Sequence, residues 1–210
     1  MTDEPTAAAR TRGTGKSGIG GRRELTDARE IRALAHPIRA ALLEALRREG
    51  ALTATEAGDL LGESPANCSF HLRTLAKYGF VEEAPGGTGR QRPWRRAVKG
   101  VSFSVDNPGA EVSAAAHELS RHFREQIAHQ QDVWDATWAT YPKQWRDAAF
   151  SFQGTTYLTA EELTDLNQQI IAMVDKYLDR LDGAQNRPEG AMPVSLTASG
   201  HPLPRSKRGN

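Results

Sequence analysis

The sequence predicts a mainly α-helical fold with one small β-hairpin. A compact domain over residues 24–105 would precede a second helical region over residues 106–182. Three observations predict this. Apolar residues recur at helical spacing in short, capped segments between Glu24 and Lys77. Two strand-like runs, 80–84 and 90–98, flank the turn-rich Pro85-Gly86-Gly87-Thr88-Gly89. Longer helical periods then occupy 111–141 and 163–181. Residues 1–23 are rich in Ala, Thr, Gly and Arg, and residues 183–210 in Gly, Pro, Ser and Arg, so both ends are expected to be disordered.

Taken in order, the first helix is expected over 24–34, with Thr26 or Asp27 as cap and Leu25, Ile31 and Leu34 as its apolar positions. His36-Pro37 breaks it, because the residue before a proline avoids helical angles. Pro37 opens a second helix carrying Ile38, Leu42, Leu43 and Leu46 on one face, and Gly50 stops it. Thr53 and Glu56 have the spacing of a capping box and begin a third, short helix. Gly62-Glu63-Ser64 is a tight turn. Ser64 then caps a fourth helix over 64–78, Pro65 fits its first position, and Gly79 ends it.

The fourth helix has two unlike faces. At about 100° per residue, Cys68, Leu72 and Leu75 share one side, with His71 at its edge. Ala66, Phe70, Arg73 and Lys77 point the other way. A small, basic front with one exposed aromatic suits a DNA major groove, which admits a helix and offers guanine acceptors and thymine methyls. Arg73 can bind guanine in a bidentate manner, Phe70 can meet a thymine methyl or sugar, and Ser64, Asn67 and Ser69 flank the face within reach of phosphates or bases. Two short helices joined by a tight turn, the second with this face, form a helix-turn-helix. The hairpin that follows, 84–97, would be its wing, with Arg90, Arg92 and Arg95 on the DNA backbone or in the minor groove and Trp94 as a packing residue. Val101, Phe103 and Val105 alternate and are expected to add a strand.

Charge supports this division. The chain holds 27 Lys and Arg against 26 Asp and Glu. Residues 64–99 carry seven basic and two acidic residues, whereas residues 104–182 carry six basic and 13 acidic ones. A local positive field in a nearly neutral chain points to a polyanion at one surface.

LAHPIRAALLEALRREG, LTATEAGDLLGESPANCSFHLRTLAKYGFVEE and GRQRPWR, within residues 28–98, resemble the winged helix-turn-helix of ArsR-type bacterial transcription regulators. The carrying pattern is Ser-x-His-Leu-x-x-Leu from Ser69, then Gly79-Phe80-Val81 and a basic wing. The resemblance implies a homodimer, double-stranded operator DNA, and repression relieved by a signal. Metal-sensing members have a cysteine motif on the helix before the recognition helix. Here that helix reads Thr55-Glu56-Ala57-Gly58-Asp59-Leu60, so the branch without metal-binding cysteines is the one resembled.

Other chemistries find little footing. The single Cys68 excludes an internal disulfide and a multi-cysteine zinc site. Cys68 and His71 lie one turn apart, but Cys68 sits on the apolar side and is read as packing. His117, His122 and His129 are spaced by five and seven residues, not by the four that one helix needs for a metal pair. Gly13-Thr14-Gly15-Lys16-Ser17-Gly18 matches GxGxxG, but no apolar strand precedes it. No catalytic constellation, cofactor or metal is therefore expected. The N-terminus lacks an apolar signal region and no run reaches membrane-spanning length, so a cytoplasmic, nucleoid-associated protein is expected. Phe123, Trp134, Trp138 and Trp145 are candidate contacts for dimer packing or for a small apolar effector, since effector pockets are lined by aromatics. Two alternatives stand beside the sequence-specific repressor. One is a non-specific architectural DNA-binding protein, and the other is a winged helix that binds protein.

Overall fold

The computed structural model describes residues 22–86, 92–181 and 183–204. The described chain is mainly helical with a short antiparallel strand pair, as the sequence predicts; a second, parallel pair of very short strands adds to it. Among the described residues no helix is long and apolar enough to cross a membrane.

Local chemistry sets the first four helices. Asp27 caps α1 (Ala28–Leu34), its carboxylate accepting the Arg29 N–H at 2.7 Å. The expected start at residue 24 is therefore early by four residues. Glu24 instead joins Arg23 in β1 (Arg23–Glu24), which pairs in parallel with β4 (Val101–Ser102). This also corrects the expectation that Arg23 belongs to a disordered arm; the rest of that arm through residue 21 lies outside the described residues. Arg23 donates to the Tyr78 carbonyl and to Glu30, each at 2.5 Å, and lies 5.2 Å from the centre of the Phe80 ring. One arginine thus ties the chain's start to the end of the recognition helix.

Helix α2 (Pro37–Glu49) runs from the expected proline to Gly50. Helix α3 (Ala54–Leu61) opens with a complete Thr53–Glu56 capping box. Helix α4 (Pro65–Lys77) has Ser64 as its cap, the hydroxyl accepting the Asn67 N–H at 3.2 Å. Gly79 follows α4 in the left-handed conformation, at φ +71°. The turn between α3 and α4 depends on Gly58, whose carbonyl accepts the N–H groups of Gly62 and Glu63. A Cβ at Gly58 would stand 2.7 Å from the Glu63 carbonyl oxygen, so the α3–α4 approach requires glycine.

The core lies where these helices meet. Ile31, Leu42, Ala57, Cys68, Leu72, Leu75 and Phe80 are fully buried there. So are Ala115, Ala116 and Leu119 of α5 (Ala110–Thr137), which packs its first turns on α1. A boundary at residue 105 therefore falls before elements that share the first domain's core. Phe103, expected in a strand, instead sets its ring 6.1 Å from Phe123 of α5.

Beyond Phe123, burial thins. Helix α5 has 28 residues, about 42 Å of helix. It passes through a 3-10 turn at Trp138–Thr140 into Pro142 and α6 (Lys143–Ala148). Helix α7 (Ala160–Asp175) begins with the expected Thr159–Glu162 capping box. It ends at Asp175 rather than continuing to Leu181; Leu178–Leu181 form a 3-10 turn. Of its apolar residues only Ile171 is buried, while Leu166 and Met173 are exposed, as is Tyr177 beyond its end. After a 3-10 turn at Ala184–Asn186, residues 187–204 form neither helix nor strand, though Ser195 donates to Gln130 of α5 at 2.8 Å.

Two histidine rings meet beside the core. His71 is 6% exposed, and its ring centre is 4.6 Å from that of His36, the cap residue of α2. Neither Nδ1 has a hydrogen-bond partner within the described residues. Burial, then the nearby Arg39 charge, lowers both pKa values, while Glu63 pulls His71 weakly the other way. An imidazole whose folded pKa is depressed adds stability above its unfolded pKa, about 6.5, and that stability is lost as pH falls through the folded value. The melting temperature is expected to fall between pH 7 and pH 5 beyond what surface carboxylates cause, and His71→Leu should flatten that acid limb; an unchanged limb would show that the pair does not titrate with folding. Gly58→Ala is expected to cost on the order of 1–3 kcal/mol in chemical denaturation, as overpacking against backbone does; a neutral result would mean that the turn can shift.

Candidate nucleic-acid interface

The interface is built on the helix whose back is buried. Cys68, His71, Leu72 and Leu75 of α4 face the core. The helical period then forces Ala66, Phe70, Arg73 and Lys77 outward as one stripe, and all four are exposed. Phe70 is 63% exposed, a large apolar side chain facing solvent. Its ring stands edge-on to His71, with centres 5.1 Å apart, so its direction is fixed from beneath. Thr74 donates its hydroxyl to the Phe70 carbonyl at 3.0 Å and stays within the helix surface. Lys77 reaches over the Tyr78 ring at 5.6 Å, and Arg73 forms no ion pair among the described residues.

The flanking polar residues divide. Ser64 is exposed, but its hydroxyl already serves the cap. Asn67 is half-buried and donates its amide to Glu63 at 2.8 Å, which leaves its side-chain oxygen as the group able to face a ligand. Ser69 is half-buried.

Beside α4 stands the hairpin of β2 (Val81–Glu83) and β3 (Trp94–Arg96). They pair antiparallel with Val81 opposite Arg96, Glu82 opposite Arg95 and Glu83 opposite Trp94. Trp94 exchanges backbone hydrogen bonds with Leu52 at 3.0 and 2.7 Å, which docks the hairpin on the α2–α3 connection. The Trp94 side chain packs against the core, consistent with a packing residue. The two described arginines of the hairpin expected at DNA are both in ion pairs. Arg95 meets Glu82 at 2.7 Å, and Arg92 meets Glu83 at 2.6 Å. The hydrogen bond that Arg92 donates to Glu83, with that carboxylate's charge, raises the Arg92 pKa further. Arg96 donates to the Lys99 carbonyl at 2.9 Å. Arg90 lies outside the described residues.

The other candidate groups do not form a second centre. Cys68 is fully buried, and burial followed by the Glu63 charge raises its thiol pKa, which disfavours the reactive thiolate. Among the described residues no group of three His, Cys, Asp or Glu side chains could hold a metal ion. The glycine-rich 13–18 segment lies outside the described residues. The aromatics named as effector or dimer contacts occupy different places. Phe123 packs on the first domain's core. Trp134 lies against Tyr141 with ring centres 5.2 Å apart, Trp138 is about half exposed beneath Arg146, and Trp145 is half-buried on α6. An open concavity borders α7, lined by Ala160, Glu161, Thr164, Asp165 and Gln168, with none of these aromatics.

Sequence reasoning missed Gly58, Glu82 and Glu83. Gly58 carried a signal, as a glycine inside an otherwise helical run. The glutamates carried one only once strand register was known, because the hairpin places each within reach of an arginine about ten residues away.

Residues 34–84, from the end of α1 to the residue after β2, match the family described as a helix-turn-helix domain. No curated protein matches the chain. The match falls on the segment whose geometry places a small, basic, aromatic-bearing face on the second helix after a tight turn. This segment is a helix-turn-helix domain, the type of unit with which transcription regulators bind DNA.

Proposed function

We propose that the chain is a homodimeric repressor that binds double-stranded operator DNA by sequence. It resembles ArsR-type regulators of the branch without metal-binding cysteines. The observation that carries this reading is the outward stripe of Ala66, Phe70, Arg73 and Lys77 on a helix whose opposite face is locked in the core. In this reading α4 enters the major groove. Arg73 reads a guanine, Phe70 and Ala66 meet thymine methyls, and Lys77, Ser64, Asn67 and Ser69 contact phosphates or neighbouring bases. The wing lies along the adjacent backbone or minor groove, with Arg90, Arg92 and Arg95 as its cations.

The dimer is supported by the uncovered apolar side chains of the second helical region. Leu166 and Met173 of α7, Tyr177 just beyond it, and Ile127 and Val133 of α5, face solvent in one copy. A helix with an apolar stripe is stable when that stripe is covered, and a second copy would cover it symmetrically. Two recognition helices would then meet half-sites roughly 34 Å apart.

Selection of bound fragments from genomic DNA is expected to yield an inverted repeat. Arg73→Ala should lose about 10- to 100-fold in discrimination at one position of each half-site. A selection that returns no motif, with equal affinity for every duplex, would replace this reading with a non-specific architectural binder. Sedimentation is expected to show a dimer. Leu166→Glu combined with Met173→Glu should yield monomers whose operator affinity falls by at least tenfold; monomers with full affinity would remove the dimer from the mechanism.

A further inference from the structure

The proposed DNA contact of the wing meets an obstacle already in place. Antiparallel pairing sets Glu82 directly opposite Arg95. Adjacent residues of a strand point to opposite faces, so Glu82 and Glu83 serve different sides of the hairpin. Glu82 pairs with Arg95 on one side. Glu83, in register with Trp94, pairs with Arg92 on the other. Each face of the hairpin therefore presents a carboxylate bonded to its arginine. All four side chains are about half exposed or more, so each pair stands at the surface of its own face, open to a phosphate that reaches that face.

We propose that Glu82 and Glu83 act as built-in competitors of DNA phosphate for Arg95 and Arg92, and so restrain the affinity of the wing for DNA. This rests on the DNA-binding reading above. A phosphate can take either arginine only by displacing a carboxylate, which then remains, negative and unpaired, beside the polyanion. Exposed ion pairs are individually weak, so the exchange is open to DNA. Its electrostatic yield is small, because an arginine and its glutamate together carry no net charge to the phosphates. Few counterions are released by such a unit, and counterion release is the main source of sequence-independent affinity. The affinity of the domain then rests on α4 and on the remaining cations of the wing, and less on a general attraction between Arg92, Arg95 and any duplex.

The test uses the full chain and fluorescence anisotropy with two labelled duplexes, the selected operator and one of scrambled sequence, between about 50 and 200 mM salt. Glu82→Gln and Glu83→Gln are each expected to tighten binding to both duplexes. The logarithmic salt slope should steepen by about 0.9 for each carboxylate removed, which amounts to roughly eightfold at ~0.1 M salt. Arg95→Gln and Arg92→Gln should weaken binding by a similar factor. The decisive variants are the neutral pairs, Glu82→Gln with Arg95→Gln and Glu83→Gln with Arg92→Gln, which should bind with wild-type affinity and slope. Neutral pairs that lose as much as the single arginine variants would overturn the proposal, because the arginines would then reach DNA without hindrance from the glutamates. Unchanged slopes in the single glutamate variants would overturn it as well. Wild-type protein that binds neither duplex would defeat the DNA-binding reading itself, and this inference with it.

Discussion

The structure depends on the burial of one side of α4. Cys68, His71, Leu72 and Leu75 are all removed from water, and hydrophobic burial of this kind is the largest favourable contribution to folding a domain of this size. Because the helical repeat is fixed, seating these residues also fixes where Ala66, Phe70, Arg73 and Lys77 point. The exposed face of α4 is thus a geometric consequence of the core. Gly58 makes the arrangement feasible by letting the α3–α4 turn close without a Cβ against the Glu63 carbonyl. Phe70 shows the coupling most directly: it rests on buried His71, which rests on half-buried His36, so an exposed side chain is oriented by the rings beneath it.

The wing is attached to the same core by different means. Its strands are three residues each, too short to be stable alone. Trp94 supplies the anchor, joining the hairpin to Leu52 through backbone hydrogen bonds and packing its ring against the buried cluster. Cross-strand ion pairs add register at the exposed positions, since Glu82 opposite Arg95 favours one pairing over a slip of one residue. The same carboxylates that align the hairpin reduce its positive charge. The groups that hold the hairpin in register are therefore the same ones that offset its arginines.

What was legible in the sequence was what is decided locally. The Thr53–Glu56 and Thr159–Glu162 boxes, the Ser64 cap, Pro37 and Gly79 each mark a helix boundary through bonds or torsions within a few residues, and the structure has them where the residues indicate. The two faces of α4 were legible for the same reason. What was not legible requires a distant partner. Arg23 becomes a strand residue only because Gly100, Tyr78 and Glu30 receive it. The first turns of α5 read as the start of a second region, yet Ala115, Ala116 and Leu119 complete the first core against α1. His71 lay at the edge of an apolar face on a helical wheel, and only the arrival of His36 buries it. The wing arginines read as unopposed cations because the glutamates that meet them lie nine and 13 residues away in the chain.

Helix α5 gives the two regions a mechanical relation that neither has alone. Its first third is held by small side chains, Ala115 and Ala116, which allow close contact with α1, and by Leu119. Close packing of this kind tolerates little rotation or sliding, because interiors are near crystal density. The remainder of the helix is exposed and continues without a break to Thr137. A continuous helix transmits a displacement of its far end as a rigid body, without absorbing it in a hinge. A force applied near Trp134 and Trp138 therefore acts on the α1–α5 contact, and α1 in turn touches α4. Any control exerted from the second region on the recognition helix would pass through that contact, where small side chains leave little slack.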